Sequence, residues 1–193
     1  MGVEFEVKFR ATPEILEQLR RDIPGQEEQY QMQTTYYDTP SEAFSARHCT
    51  LRRRIENGRS VCTLKTPAGG IGRKEWETEC DSIETALKEL CKPEENRELL
   101  VLAQEGLIPV CGAKFTRIAK TIKIGDGTAE LALDRGILMG GGKEIPLCEI
   151  EVERKTCGEM ECLTYASCLK SRYGLQREEQ SKFRRAFALY KGV

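Results

Sequence analysis

Apolar and polar residues alternate at every second position through much of the chain, a period that predicts strands. Val3-Glu4-Phe5-Glu6-Val7-Lys8-Phe9-Arg10 puts Val, Phe, Val and Phe on one face and Glu, Glu, Lys and Arg on the other. Thr12-Pro13-Glu14 then reads as a helix start, with a threonine N-cap and proline at the first helical position, and the helix runs to Asp22. Thr34 to Asp38 is a short β-prone stretch ended by Thr39-Pro40. Cys49 to Glu56 and Ser60 to Thr66 flank Asn57-Gly58, a two-residue hairpin signal. Arg73 to Cys80 is a further strand after a Gly-rich turn.

Asp81 to Gly106 predicts two short helices broken near Pro93. Lys114 to Ile124, Thr128 to Arg135 and Ile145 to Lys155 predict strands, the first two separated by Gly125-Asp126-Gly127. A helix over Gly158 to Tyr173 is stopped by Gly174, and Ser181 to Tyr190 is expected as a last strand. The pattern implies a β-dominated α+β fold: a closed antiparallel eight-stranded β-barrel tunnel with helices packed outside. One domain over residues 1–193 is expected, with no internal repeat or linker.

The polar faces of these strands are charged at nearly every position. Glu4, Glu6 and Lys8 share one parity, as do Arg52 and Arg54, Arg73 and Glu75, Glu130 and Asp134, Glu149, Glu151 and Glu153, and Lys182 and Arg184. Lys65 and Arg117 belong to the same set. Phe5, Val7, Leu64, Trp76, Leu131, Leu133, Ile150 and Val152 hold the opposite faces, which the helices must cover. An open sheet with a solvated, salt-bridged face satisfies this pattern. A sheet closed around a charged tunnel satisfies it too. Segregation favours the tunnel: some strands carry mainly cations and others mainly carboxylates, whereas a structural face would intermix the signs. Rows of carboxylates beside rows of guanidinium groups suit a polyanion held with divalent cations between them.

Composition narrows the choice further. Charged residues make up 32% of the 193, yet 30 Lys+Arg against 31 Asp+Glu leave a net charge of −1. That balance speaks against a nucleic-acid or membrane-surface binder. No run approaches the roughly 18 apolar residues of a membrane span. Met1-Gly2-Val3-Glu4 opens without a basic or apolar signal region, so a cytoplasmic protein with nine reduced cysteines is expected. No Cys-x-x-Cys occurs and His48 is the only histidine, so any metal should be a hard cation held by oxygen. Arg53 has the wrong parity and reads as a surface cation. Trp76 reads as core, Tyr36 and Tyr37 as shaping the Asp-Thr-Pro turn, and the cysteines as small core residues.

Glu4-Phe5-Glu6-Val7-Lys8 resembles the Glu-x-Glu-x-Lys signature that opens the CYTH, or triphosphate tunnel metalloenzyme, superfamily. The resemblance continues through Thr35-Tyr36-Tyr37-Asp38-Thr39-Pro40, Leu51-Arg52-Arg53-Arg54, Thr63-Leu64-Lys65, Ala132-Leu133-Asp134, Cys148-Glu149-Ile150-Glu151-Val152-Glu153 and Ser181-Lys182. Within the superfamily it is most like bacterial inorganic triphosphatases. The resemblance implies an antiparallel tunnel that hydrolyses inorganic triphosphate, or a related triphosphate, with Mg²⁺ or Mn²⁺. It implies metal-holding carboxylates at Glu4, Glu6, Asp134, Glu149 and Glu151. Phosphate-binding cations are implied at Lys8, Arg52, Arg54, Lys65, Arg73, Arg117 and Lys182, and a catalytic set of Glu4, Glu6, Lys8, Glu149 and Glu151. Many bacterial relatives continue into a histidine-rich helical domain, which this sequence, ending at Val193, does not contain. Adenylyl cyclases share the tunnel, so formation of cyclic AMP from ATP is the alternative; a non-catalytic polyphosphate or nucleotide-binding module is a further one. The expected partner is a small polyanion, inorganic or a nucleoside triphosphate, with no membrane or nucleic acid. The assembly is left open, a homodimer among the options.

Overall fold

The computed structural model describes residues 2–68 and 73–193, the first three of these by backbone alone. Strands β1 (Gly2–Glu4) and β2 (Glu6–Arg10) precede helix α1 (Pro13–Asp22) and the long strand β3 (Glu27–Asp38). A short helix α2 (Ala43–Ala46) leads to β4 (Thr50–Glu56), β5 (Arg59–Pro67) and β6 (Arg73–Glu79). Helices α3 (Ile83–Leu90) and α4 (Arg97–Leu102) follow. Then come β7 (Ile108–Ile124), β8 (Gly127–Gly140), β9 (Lys143–Arg154), α5 (Glu159–Tyr173), β10 (Gln176–Arg177) and α6 (Lys182–Lys191). Among the described residues the ten strands form one antiparallel sheet in the order β1-β6-β5-β4-β3-β7-β8-β9-β2-β10. The expectation of a β-dominated α+β fold is met. As a hydrogen-bonded series, however, the sheet has two ends, not the eight-stranded ring expected. The segment from Gly2 to Arg10 touches both sides of it. Gly2–Glu4 pairs with β6, and Glu6–Arg10 pairs with β9.

Local chemistry explains several of the element boundaries. The Thr12 side chain accepts the N–H of Ile15, capping α1 as its sequence predicts. Asn57 and Gly58 both take positive φ, 48° and 90°, which the two-residue hairpin between β4 and β5 requires. The Gly-rich turn expected before Arg73 falls on residues 69–72 and lies outside the described residues.

Strand β3 begins at Glu27, well before Thr34, because Glu27-Glu28-Gln29-Tyr30-Gln31 is polar on both faces and shows no alternation. Its pairing with β7 runs from Glu27↔Lys120 to Asp38↔Ile108. Pro109 sits in β7 where the register shifts opposite Tyr36 and Tyr37, and such an irregularity tolerates a residue with no N–H.

Ser181 to Tyr190, expected as a strand, is helix α6. The Ser181 hydroxyl accepts the Arg184 N–H, and Gly192 ends the helix at φ 76°. Phe183, Phe187 and Tyr190 stack in succession with ring centroids 5.2 and 5.6 Å apart. Their spacing of four and three residues is helical, and the period-two pair Lys182 and Arg184 masks it in the sequence.

Two apolar clusters cover the sheet face opposite the charges. Phe5, Val7, Phe9, Leu131 and Ile150 pack against α1 and α5, and Leu51, Leu64 and Trp76 against α3 and α4. A third cluster lies on the charged side. There Phe183 and Ala186 of α6 pack on Phe115, Leu138 and Leu147, whose parity is that of Arg117, Asp134 and Glu149. Gly140 makes the close approach possible, since a Cβ there would lie 2.3 Å from the Ala186 carbonyl oxygen. Helix α6 therefore occupies part of the face that the strand pattern assigned wholly to charge. No described helix is long and apolar enough to cross a membrane.

Of the nine cysteines only Cys168 is exposed. Burial raises the Cys62, Cys91 and Cys162 thiols to about 11 and Cys111 to about 12. Thiolate is the reactive species, so a disulfide exchange reagent should modify Cys168 first in the native protein, and the buried thiols of Cys62, Cys91, Cys111 and Cys162 only in denaturant. Rapid native titration of Cys62, Cys91, Cys111 and Cys162, mapped by mass spectrometry, would contradict this packing.

Candidate functional site

Alternation puts Arg52 and Arg54 of β4, Lys65 of β5, Arg73 of β6 and Arg117 of β7 on one face. Glu6 and Lys8 of β2, Glu130 of β8, and Glu151 and Glu153 of β9 stand on the same face. All of these line one cavity of about 360 Å³. Its walls are drawn from β6, near one end of the strand order, and from β2, near the other.

On the cationic side, Glu75 lies 3.5 Å from Arg52 and 3.2 Å from Lys65. Arg73 donates to the carbonyls of His48 (2.6 Å) and Lys65 (3.0 Å), which fixes it at the rim. Arg54 is almost wholly buried, and its Nε donates to the Thr34 hydroxyl at 3.2 Å. Burial, then repulsion from Arg52 and Arg117, pushes its guanidinium below the ordinary arginine range. An anion placed among these three cations relieves that repulsion. On the acidic side, Lys8 lies 3.1 Å from Glu6. Burial opposes the Lys8 charge, but Glu6 and Glu151 outweigh it and raise the pKa.

Below the cavity, Asp134, Glu149 and Glu151 bring carboxylate oxygens within 4.8 Å of one another. Lys182, at the first turn of α6, reaches all three: Asp134 at 2.8 Å, Glu151 at 2.6 Å, and Glu149 in a shorter contact. Arg117 binds Asp134 in a two-pronged pair, both contacts 2.7 Å, and also meets Glu151. Arg185, one turn along α6 from Lys182, meets the other oxygen of Glu149. Three buried carboxylates thus face three cations. Burial pushes Glu149 up to about 7, against the pull of Lys182 and Arg185. Burial acts the same way on Glu151, but Lys182 and Arg117 outweigh it and hold this carboxyl well below its usual range.

A hard divalent cation takes oxygen donors, and the acidic side offers only carboxylates. Glu6 and Glu151 line the cavity, and Glu6 stands opposite Glu153 in the β2–β9 register. These residues fit Mg²⁺ or Mn²⁺. Asp134 and Glu149 offer the same donors, and all three buried carboxylates, Glu151 included, also meet Lys182 and an arginine.

The cavity and its floor bring together Glu6, Lys8, Arg52, Arg54, Lys65, Arg73, Arg117, Asp134, Glu149, Glu151 and Lys182. Glu4 stands opposite Arg73 in the backbone register, and its side chain lies outside the described residues. Arg53 points away, donating to the Ser60 hydroxyl at 2.9 Å, and Trp76 is buried in an apolar cluster. Asp38 pins its turn by accepting N–H groups from Thr39, Phe44 and Ser45. Tyr36 instead lines the cavity and packs 5.2 Å from the Phe183 ring. Sequence reasoning missed Arg185, which a period of two assigns to the apolar side of a strand. It also missed Glu178, buried beside Arg10 (2.8 Å) and Arg185 (3.6 Å). The helical spacing Phe183, Ala186, Phe187, Tyr190 was the signal for Arg185; Glu178 carries none.

Comparisons with known proteins bear on this arrangement. The CYTH domain family model matches residues 2–187. An inorganic triphosphatase of Haemophilus influenzae is 24% identical over 197 aligned residues, covering 96% of this chain and 54% of that protein. The chain thus spans about half the length of that curated relative. A candidate adenylyl cyclase from Hippeastrum, described as having a dominant triphosphatase activity, superposes with a TM-score of 0.68 at 19% identity. The match covers 100% of this chain and 96% of that one. A candidate adenylate cyclase from Bacillus halodurans gives 0.64 at 21% identity, over 96% and 98% of the two chains. At these identities the likeness is one of fold.

Removing one member of a buried, balanced ion cluster leaves uncompensated charge, at a cost of about 3–5 kcal/mol. Lys182→Met should therefore lower stability by that order in urea unfolding at neutral pH. An unchanged midpoint would remove Lys182 from the role of counter-ion.

Proposed function

The chain belongs to the CYTH domain family, and on that premise we propose that it hydrolyses inorganic triphosphate to diphosphate and phosphate with Mg²⁺ or Mn²⁺. The observation that carries the reading is the single cavity in which Arg52, Arg54, Lys65 and Arg117 face Glu6, Glu151 and Glu153. We read the segment from Gly2 to Arg10 as the strand that closes the sheet into a tunnel. Its support is the pairing of β1 with β6 and of β2 with β9. We infer a reducing compartment, the cytoplasm, and nine cysteines outside any disulfide support that reading.

Phosphoryl transfer depends on positioning and on stabilising charge more than on covalent chemistry from the protein. Arg52 and Arg54 hold non-bridging phosphate oxygens with their planar forks. Lys8, Lys65, Arg73, Arg117 and Lys182 supply the remaining positive charge around the chain. Glu4, Glu6, Asp134, Glu149 and Glu151 would hold the divalent ion, directly or through water. The ion, when bound, offsets phosphate charge and makes water a better nucleophile. Water adds in line to the terminal phosphorus, the bond to the bridging oxygen breaks, and diphosphate leaves with that oxygen. A cavity glutamate, Glu6 or Glu151, orients the water and accepts its proton.

Glu6 is a quarter exposed and belongs to no apolar cluster, so Glu6→Ala should keep the native circular dichroism and melting temperature. Its phosphate release from inorganic triphosphate should fall by about 10²-fold or more. Near-normal turnover would remove Glu6 from the machinery. Arg54 meets the substrate and strengthens its hold as charge shifts in the transition state, so Arg54→Ala should raise KM and lower kcat together in the same assay. A change in KM alone would make Arg54 a residue that binds ground state and transition state equally.

A further inference from the structure

The charged cavity is not alike at its two ends. Glu56, Glu77, Glu130 and Glu153 gather at one end, where Lys155 lies 2.8 Å from Glu153 and 3.8 Å from Glu130. The other end meets a second cavity of about 400 Å³. The two spaces share Lys8, Arg73 and Ser181 in their walls, so they adjoin. The annex adds His48 and Arg184, with one carboxylate, Glu179. His48 and Arg184 are exposed, and neither makes an ion pair among the described residues.

We propose that this annex is a second anion subsite, which receives the distal phosphate of a linear polyphosphate longer than three units. The inference rests on the triphosphatase reading and deepens it. A linear anion held by the cationic wall leaves the cavity at the end where the field is positive, because carboxylates at the other end repel it. On leaving, its next phosphate meets Arg184 and His48. Arginine suits this position, with a fork that takes phosphate oxygens in pairs. The imidazole N–H adds a donor.

Both residues can be changed without disturbing the fold. The Arg184 backbone N–H is already bound by the Ser181 hydroxyl. Arg184→Glu completes a Ser-x-x-Glu capping box and puts negative charge in the first turn of α6, which favours the helix. His48 holds φ at 56°, so asparagine, which tolerates that conformation, is the replacement of choice.

The test is calorimetric titration of inorganic tripolyphosphate and tetraphosphate in EDTA, with triphosphate turnover in Mg²⁺ measured on the same preparations. Wild type should bind tetraphosphate about tenfold more tightly than triphosphate. Arg184→Glu should erase that gain, and His48→Asn should reduce it. Both should leave the Kd for triphosphate, and its turnover, within about twofold of wild type. A tetraphosphate-to-triphosphate ratio unchanged by Arg184→Glu would overturn the subsite, as would equal loss of both ligands. So would an unchanged tetraphosphate-to-triphosphate ratio in His48→Asn together with weaker binding of ATP, titrated in parallel, which would mark a nucleoside pocket instead. Absent turnover in wild type would remove the hydrolase reading, leaving the binding ratio to judge the subsite by itself.

Discussion

Three carboxylates from two neighbouring strands cannot share a buried corner unless cations meet them there. Asp134, Glu149 and Glu151 are held together by the Lys182 ammonium, which reaches all three, with Arg117 and Arg185 completing the balance. This interaction decides where α6 goes. Its first turn must deliver Lys182 and Arg185 to the acidic corner, so the rest of the helix lies along the charged side of β7, β8 and β9. The apolar residues Phe115, Leu138 and Leu147 on that side exist to receive it. Burying charge is unfavourable by itself, and the arrangement persists because each carboxylate has a cation at hydrogen-bonding distance.

Above this corner the charges are arranged differently. Arg54 is buried beside Arg52 and Arg117, and its pKa is pushed down by burial and by those neighbours. That part of the wall carries more positive charge than it can comfortably hold. Across the space stand the carboxylates of Glu6, Glu151 and Glu153, which Lys8, Arg117, Lys182 and Lys155 balance in part. A polyanion relieves the first and a hard cation the second, and the two ligands attract one another. The cavity is therefore suited to a metal–phosphate pair more than to either partner alone. This is the physical content of the functional reading.

Much of this was legible in the sequence, for definite reasons. Half-buried strands show period two, so the faces bearing Glu6 and Lys8, Arg52 and Arg54, and Glu151 and Glu153 could be assigned from spacing, and Arg53 could be set apart from its neighbours. The capped start of α1 and the Asn57-Gly58 hairpin rest on local chemistry that tertiary structure did not override. The failures have causes too. The first half of β3 is polar on both faces, so no alternation announces it. In α6, Lys182-Phe183-Arg184 imitates a strand for three residues, and the helical spacing of Phe183, Ala186, Phe187 and Tyr190 competes with it. Misreading that period kept Lys182 but lost Arg185. Glu178 lies in no regular pattern, and only the packing of Arg10 and Arg185 around it reveals its place. The pairing of β1 with β6 and of β2 with β9 depends on tertiary register, which no local pattern encodes.

The most direct measurement is release of phosphate from inorganic triphosphate and from ATP, side by side, with Mg²⁺ or Mn²⁺ and again with EDTA. The account predicts turnover of the inorganic chain that exceeds that of ATP and disappears with EDTA. Formation of cyclic AMP and diphosphate from ATP, with the inorganic chain untouched, would contradict it.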